Sequence, residues 1–291
     1  MNEILQPDWS EWRCRASGIN MMMSNSRENA PLTELQFKEL TELDAKPNRT
    51  EKQGIRMAEL IEKRERSKDV KLGDTAIGFL LDEYAWITEK KCSVTKELDI
   101  EQMRKGRLGE KEGRELLSYV EDYFYEKNDE RLYNEFLSGE PDTWKGKSLQ
   151  EAEAIPDVKV IWDYPGFLKK IVKPMEPEYA DQLRGYGLLT GAKILFRANT
   201  LITTPETIRN GVKMRLFYQR AYATPEAPEF LAEWSVLEQS MIFEGIARHK
   251  RLHRLYVDPF TPTQEQAVYD RVKVCRDWLN DFHESYQLLN K

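Results

Sequence analysis

The 291-residue sequence holds few of the ligands that soft metals require: three cysteines and three histidines. Cys14, Cys92 and Cys275 stand far apart, so they suit neither a zinc site nor an iron–sulfur cluster. An odd number of scattered thiols also gives no disulfide framework and fits a reducing compartment, so the expected location is the cytoplasm. No apolar run approaches the ~20 residues of a membrane helix. The opening residues, Met-Asn-Glu-Ile-Leu-Gln-Pro-Asp, lack the basic and apolar regions of a signal peptide. No membrane partner is therefore expected. Internal repeats and low-complexity tracts are missing too. Positive charge is also in deficit, with 44 Lys and Arg against 50 Asp and Glu, a net charge of −6. That deficit does not exclude a nucleic-acid partner, because binding depends on where the positive charges lie.

What is present describes a charge-rich globular chain, 40% hydrophobic and 32% charged, long enough to bury a sizeable core. Residues 8–30 read as irregular, with Trp9, Trp12 and the run Met21-Met22-Met23 available to pack as a plug on the core. Two helices are expected between residues 32 and 68, the first with Leu35, Phe37, Leu40 and Leu43 as its apolar face. Another helix is expected over 74–90. The longest, over 97–126, carries Gly106, Glu110, Gly113 and Leu117 at steps of four, three and four, hence on one stripe. Glycines in a helix cost about 1 kcal/mol each against alanine, which close approach of a backbone or ligand beside Glu110 would explain. Glu110 is otherwise a surface residue of a charged helix.

Residues 139–186 draw together acidic, basic and amide groups. Residues 155–162 have the β-branched, apolar composition and the length of a strand. On a strand Asp157 and Lys159 share one face, while Val158 and Val160 point to the other, where a core takes them. Residues 131–138 read as a preceding strand, so that a hairpin through the turn at Lys145-Gly146-Lys147-Ser148 would set Asp142 beside Asp157. A buried carboxylate next to a buried lysine is unfavourable unless a hard cation sits on the carboxylate. In the plainer alternative Lys159 merely neutralises Asp157. A short basic helix is expected after Pro165, and a helix over 177–190 puts Gln182 and Tyr186 on one face at i and i+4, either as a site pair or as a half-buried structural one. Residues 192–203 alternate as the next strand. The last third reads as helices over 205–221, 226–247 and 263–290, interrupted by Arg248-His-Lys-Arg-Leu-His-Arg254, a run that either faces DNA or is simply solvated.

Pro141-Asp142, a spacer and Asp157-Val158-Lys159 resemble the PD-(D/E)XK nuclease pattern, and Gln182-Leu183-Arg184-Gly185-Tyr186 resembles the Q-x-x-x-Y motif of its RecB and lambda-exonuclease branch. The run 182–191, the segment Gly106-Arg107-Leu108-Gly109-Glu110 and the N-terminal Arg15-Ala16-Ser17 are similar to motifs of the phage-type, YqaJ-like viral recombinase nucleases. The resemblance covers about residues 12–203. It implies an α/β fold: a small mixed central sheet carrying the metal site, flanked by helices, with an N-terminal helical subregion at 1–96, a nuclease core at 97–204 and a helical extension at 205–291.

The same resemblance implies a Mg2+- or Mn2+-dependent exonuclease acting on duplex DNA ends, with two ions per active site and no iron–sulfur cluster, in a phage or bacterial-host setting of recombination and repair. Asp142, Asp157 and the Val158 carbonyl would hold one ion, and Glu110 would complete the shell of the second. Lys159 and Gln182 would position the attacking water, while Arg15, Ser17 and Tyr186 would contact DNA. A single-strand annealing recombinase or single-strand-binding partner and a ring trimer are implied in the same way. An endonuclease with the same site and a catalytically silent DNA-binding or scaffold subunit are the alternatives.

Overall fold

A computed structural model describes residues 7–26, 32–67, 71–92 and 101–289. The chain divides into two compact units, Met1–Ser93 with Pro262–Lys291, and Val94–Thr261. The sequence-based division places its first boundary at 96/97, which lies outside the described residues, and a second at 204/205. In the structure residues 205–261 fall in the same unit as residues 101–204, and residues 262–291 with the N-terminal helices.

In the first unit a two-residue strand β1 (Cys14–Arg15) and a single-turn helix α1 (Ile19–Met22) lead into three longer helices, α2 (Glu34–Asp44), α3 (Glu51–Arg66) and α4 (Asp74–Glu89). Helices α2 and α3 each open on a capping box, Thr33 with Gln36 and Thr50 with Gln53, in which side chains satisfy the first orphan backbone N–H groups. Leu40, Leu43 and Leu60 form their shared core, but Leu35 and Phe37 are exposed, which corrects half of the expected apolar face. Trp9, Trp12 and Met22 are buried, as the plug reading expects, but Met21 is exposed and Met23 only half-buried. The long C-terminal helix Pro262–Leu289, α10 in chain order, buries Val268, Val272, Cys275 and Leu279, and its Arg276 Nε donates to the Trp12 carbonyl at 2.8 Å.

The second unit is a mixed α/β layer. Helix α5 (Glu101–Glu121) is followed by a tight hairpin, β2 (Leu132–Tyr133) and β3 (Leu137–Gly139). The single strand expected over 131–138 is thus two. The backbone N–H groups of Phe136 and Leu137 both donate to Asn134 Oδ1, an Asx-type turn that reverses the chain in the middle of the run. The main sheet has the order β4-β5-β6-β7, built from β4 (Lys145–Gly146), β5 (Ala152–Val160), β6 (Ile194–Thr200) and β7 (Leu252–Val257). Strand β4 runs antiparallel to β5, β5 parallel to β6, and β6 antiparallel to β7. The parallel pair needs a crossover, supplied by α6 (Tyr164–Val172) and α7 (Pro177–Thr190). Helices α8 (Glu206–Gln219) and α9 (Pro228–Gln239) enclose a separate small core around Phe230, Trp234 and Met241.

Helix α5 lies against one face of this sheet, with Leu117, Tyr125, Ala154, Val158, Phe196 and Ala198 forming the core. The close approach occurs at Gly109 and Gly113. A Cβ on Gly109 would stand 2.2 Å from Ile202 Cδ1, and one on Gly113 would stand 2.8 Å from Thr200 Oγ1 and 3.1 Å from Val158 Cγ1. Gly106, placed on the same stripe by its spacing, has nothing within 4 Å of that position. Among the described residues no helix is long and apolar enough to cross a membrane.

Candidate active site

The site forms where β4 stops short and leaves an edge of β5 uncovered. Strand β4 pairs Lys145 with Ala154. Beyond that pair Asp142 follows the β5 edge: its carboxylate accepts from the Val158 N–H and feels the charge of Asp157, the proximity the hairpin reading expected, although residues 132–139 pair with each other and not with β5. Asp157 is 2% exposed and receives a 2.8 Å hydrogen bond on Oδ1 from Lys159 Nζ, while its Oδ2 is buried without a hydrogen-bond partner. Asp142 is pushed up to about 6, first by burial and then by the charge of Asp157; Lys159 and the backbone N–H of Val158 pull the other way. Burial works against the charge on Lys159, but Asp157 and Asp142 outweigh it, so its ammonium is held above the ordinary lysine range.

Val158 points its side chain into the core, where it is 5% exposed. The residue nevertheless borders the cleft. In a strand the N–H and C=O of one residue point to the same side, so the Val158 carbonyl faces the uncovered edge together with the N–H directed at Asp142. The cleft encloses about 460 Å³ and is lined by Glu110, Asp142, Lys159, Tyr179 and Arg197 among others. Glu110 reaches its wall from α5 and pairs with Arg114 at 3.2 Å.

On the opposite face of the sheet from α5, α7 sets Gln182 and Tyr186 one turn apart. The Gln182 amide nitrogen donates to Tyr186 Oη at 2.8 Å. Tyr186 is 6% exposed, and burial pushes its phenol up to about 12 despite the Gln182 bond that lowers it. Its ring lies 2.9 Å from where a Cβ on Gly139 would be, so only glycine lets the strand leading to Asp142 pass over the ring. Arg15 and Ser17 belong to the first unit. Ser17 is exposed there, and Arg15 pairs with Glu83 at 2.6 Å while remaining half exposed.

Two groups in this cleft carry no expected role from the sequence. Arg197 is the strand neighbour of Asp157 on β6, and Tyr179 stands on the first turn of α7. A charged residue inside the apolar run Ile-Leu-Phe-Arg-Ala was the available signal for the first.

Among the described residues no three of His, Cys, Asp and Glu gather into a ready-made metal cage. The donors present nevertheless suit a hard divalent cation, which accepts carboxylate, carbonyl and water oxygens. Two carboxylates lie together, one with an unpartnered buried oxygen and one whose ionisation is resisted first by burial and then by its neighbour's charge. A cation between them would relieve both conditions.

No protein-family model matches the sequence, and no curated protein matches it. Solved structures do. A phage related exonuclease from Haemophilus somnus 129PT superposes with a TM-score of 0.59 at 16% identity, over 95% of this chain and 97% of that one. An alkaline exonuclease from Laribacter hongkongensis gives a TM-score of 0.45 at 10% identity, over 97% of this chain and 96% of that one. The chain has the fold of the first, in agreement with the α/β class and the nuclease-family fold that the motifs imply.

Proposed function

We propose that this chain is a Mg2+- or Mn2+-dependent deoxyribonuclease that removes nucleotides from duplex DNA ends. The observation that carries the reading is Asp142 beside the Asp157–Lys159 pair at an uncovered sheet edge inside a cleft. The shared fold with a phage related exonuclease supports it. Asp142, Asp157 and the Val158 carbonyl would hold one cation, and Glu110, turning from Arg114, would serve a second. Divalent cations at such a place lower the pKa of water and neutralise charge on phosphoryl oxygens.

The remaining chemistry falls to the side chains. Lys159 is anchored by Asp157, so its ammonium can fix a water for in-line attack and favour loss of that water's proton. Gln182 spends one amide N–H on Tyr186, which leaves its carbonyl oxygen to accept from the same water. Tyr186, buried and held by that bond, orients Gln182. Arg15 and Ser17 are donors of the kind that hold a terminal phosphate.

The test is Mg2+-dependent release of nucleotides from labelled duplex by the wild type and by Asp157→Ala. The reading expects release by the first alone, with both proteins melting as folded species. A folded Asp157→Ala protein that cuts within threefold of wild type, about 0.7 kcal/mol in barrier, would place the chemistry elsewhere.

A further inference from the structure

Strand β6 buries an arginine where a core strand ordinarily places an apolar residue. Leu195, Phe196, Ala198 and Leu201 around it are buried apolar residues, and Arg197 itself is only 4% exposed. In the parallel register Arg197 stands directly beside Asp157, and Asn199 beside Lys159, so Arg197 shares the face that carries the carboxylate and the ammonium. Its Nη1 contacts Glu176 Oε2 at 2.7 Å, and the guanidinium lies 4.1 Å from the centre of the Tyr179 ring.

A structural ion pair explains only part of this arrangement. Glu176 is shared with Lys170, which neutralises it independently. The Arg197 Nε is buried with no hydrogen-bond partner. A guanidinium offers five N–H donors, and Glu176 accepts from Nη1 alone, which leaves the Nε donor unused. Were stability alone at stake, a well-packed apolar side chain would do as well or better at such a site. Moreover, Arg197 borders the cleft together with Lys159, Asp142 and Glu110. Tyr179 and Glu176 fix the plane and direction of its fork, so little freedom remains to be lost when an anion arrives. The acceptor that matches a rigid, partly unsatisfied fork beside a phosphodiester-cleaving site is a phosphate oxygen.

We propose that Arg197 contacts a non-bridging phosphate oxygen of the DNA strand being cut, at the scissile step or the step next to it. The inference rests on the nuclease reading. It adds a direct substrate contact on β6, separate from the cation-holding carboxylates. Removing such a donor should slow the chemical step roughly 10²-fold, the size typical of one lost oxyanion contact.

The test uses linear duplexes carrying a single neutral methylphosphonate at the scissile step or at either flanking step, cut in Mg2+ under single-turnover conditions. Wild type, Arg197→Lys, Arg197→Gln and Glu176→Gln are compared, with melting temperatures on the same preparations. One methylphosphonate position should slow the wild type, while the Arg197 variants, already slow on unmodified DNA, should lose that position's sensitivity. Glu176→Gln keeps the guanidinium and should keep the sensitivity. If Arg197→Gln fails to fold, Arg197→Lys and Glu176→Gln make the same comparison. Arg197→Lys cutting unmodified DNA at the wild-type rate would overturn the inference alone. So would losses that simply multiply at all three positions, or an equal loss of sensitivity in Glu176→Gln. A folded wild type that cuts no DNA in Mg2+ would remove the nuclease reading as well.

Discussion

Replacing Asp142 with asparagine should make the metal-free protein more stable at neutral and alkaline pH. The carboxyl is held at about 6 against an ordinary 3.8, chiefly by burial and then by the Asp157 charge. A carboxyl raised on folding contributes stability that is fully present below 3.8 and is lost as pH rises through about 6. At pH 8 the ionised form therefore opposes folding by up to about 3 kcal/mol, at roughly 1.4 kcal/mol per tenfold change in proton affinity. Asparagine keeps the shape and the acceptor for the Val158 N–H but has no charge to desolvate. In EDTA at pH 8, Asp142→Asn should raise the melting temperature, by roughly 2–4 °C per kcal/mol for a domain of this size. The gain should shrink towards pH 4. Mg2+ should stabilise the wild type markedly and the variant little, because it relieves repulsion that asparagine has already removed. Scanning calorimetry across pH 4–8, with EDTA and with Mg2+, provides the check. A variant less stable than wild type at pH 8 in EDTA, or a gain equal at pH 4 and pH 8, would refute the argument that two adjacent carboxylates strain this site.

Three further outcomes follow from named contacts. Lys159→Ala should lose single-turnover cleavage by about 10² to 10⁴ while retaining DNA affinity in Ca2+, and Lys159→Arg should rescue poorly, since a planar fork does not replace a compact ammonium; a stable variant that binds and cuts as wild type would remove Lys159 from the mechanism. Arg15→Ala should weaken the response to a 5′-phosphate more than it weakens overall binding, and an equal loss on both kinds of end would reduce Arg15 to a general contact. Gly113→Ala should destabilise by about 1–2 kcal/mol, overpacking against Thr200 and Val158 outweighing the helix-propensity gain, whereas Gly106→Ala, with open space beside it, should stabilise by roughly 0.5–1 kcal/mol in urea unfolding.

The parts of the fold written in local periodicity were legible. The strand expected over 155–162 occurs as β5 at Ala152–Val160, and the helix over 177–190 and strand over 192–203 as α7 and β6. The proximity of Asp142 to Asp157 followed from the turn residues at 145–148, though not from the strand expected over 131–138, which pairs within itself. The β2–β3 hairpin did not, because a single asparagine inside an otherwise strand-like run makes the turn through its own side chain. Helix α5 was readable, but its contact glycine was misplaced: a stripe drawn through Gly106, Glu110 and Gly113 misses Gly109, which faces the sheet one turn before Gly113. Arg197 gains its meaning only from parallel pairing with β5, a register set by a crossover of two helices, and no local pattern announces it. The same holds for α10, whose burial on the N-terminal segment joins residues more than 240 apart in sequence.

The most direct measurement of the central claim is nucleotide release from linear and from covalently closed circular duplex of one sequence, in Mg2+ and in EDTA, with the Lys159→Ala protein as control. The account predicts acid-soluble nucleotides from the linear form in Mg2+ alone, an intact circle, and little release by the variant. Release that persists in EDTA or survives the loss of Lys159 would contradict the proposed site, and a circle cut as fast as the linear form would contradict action at ends.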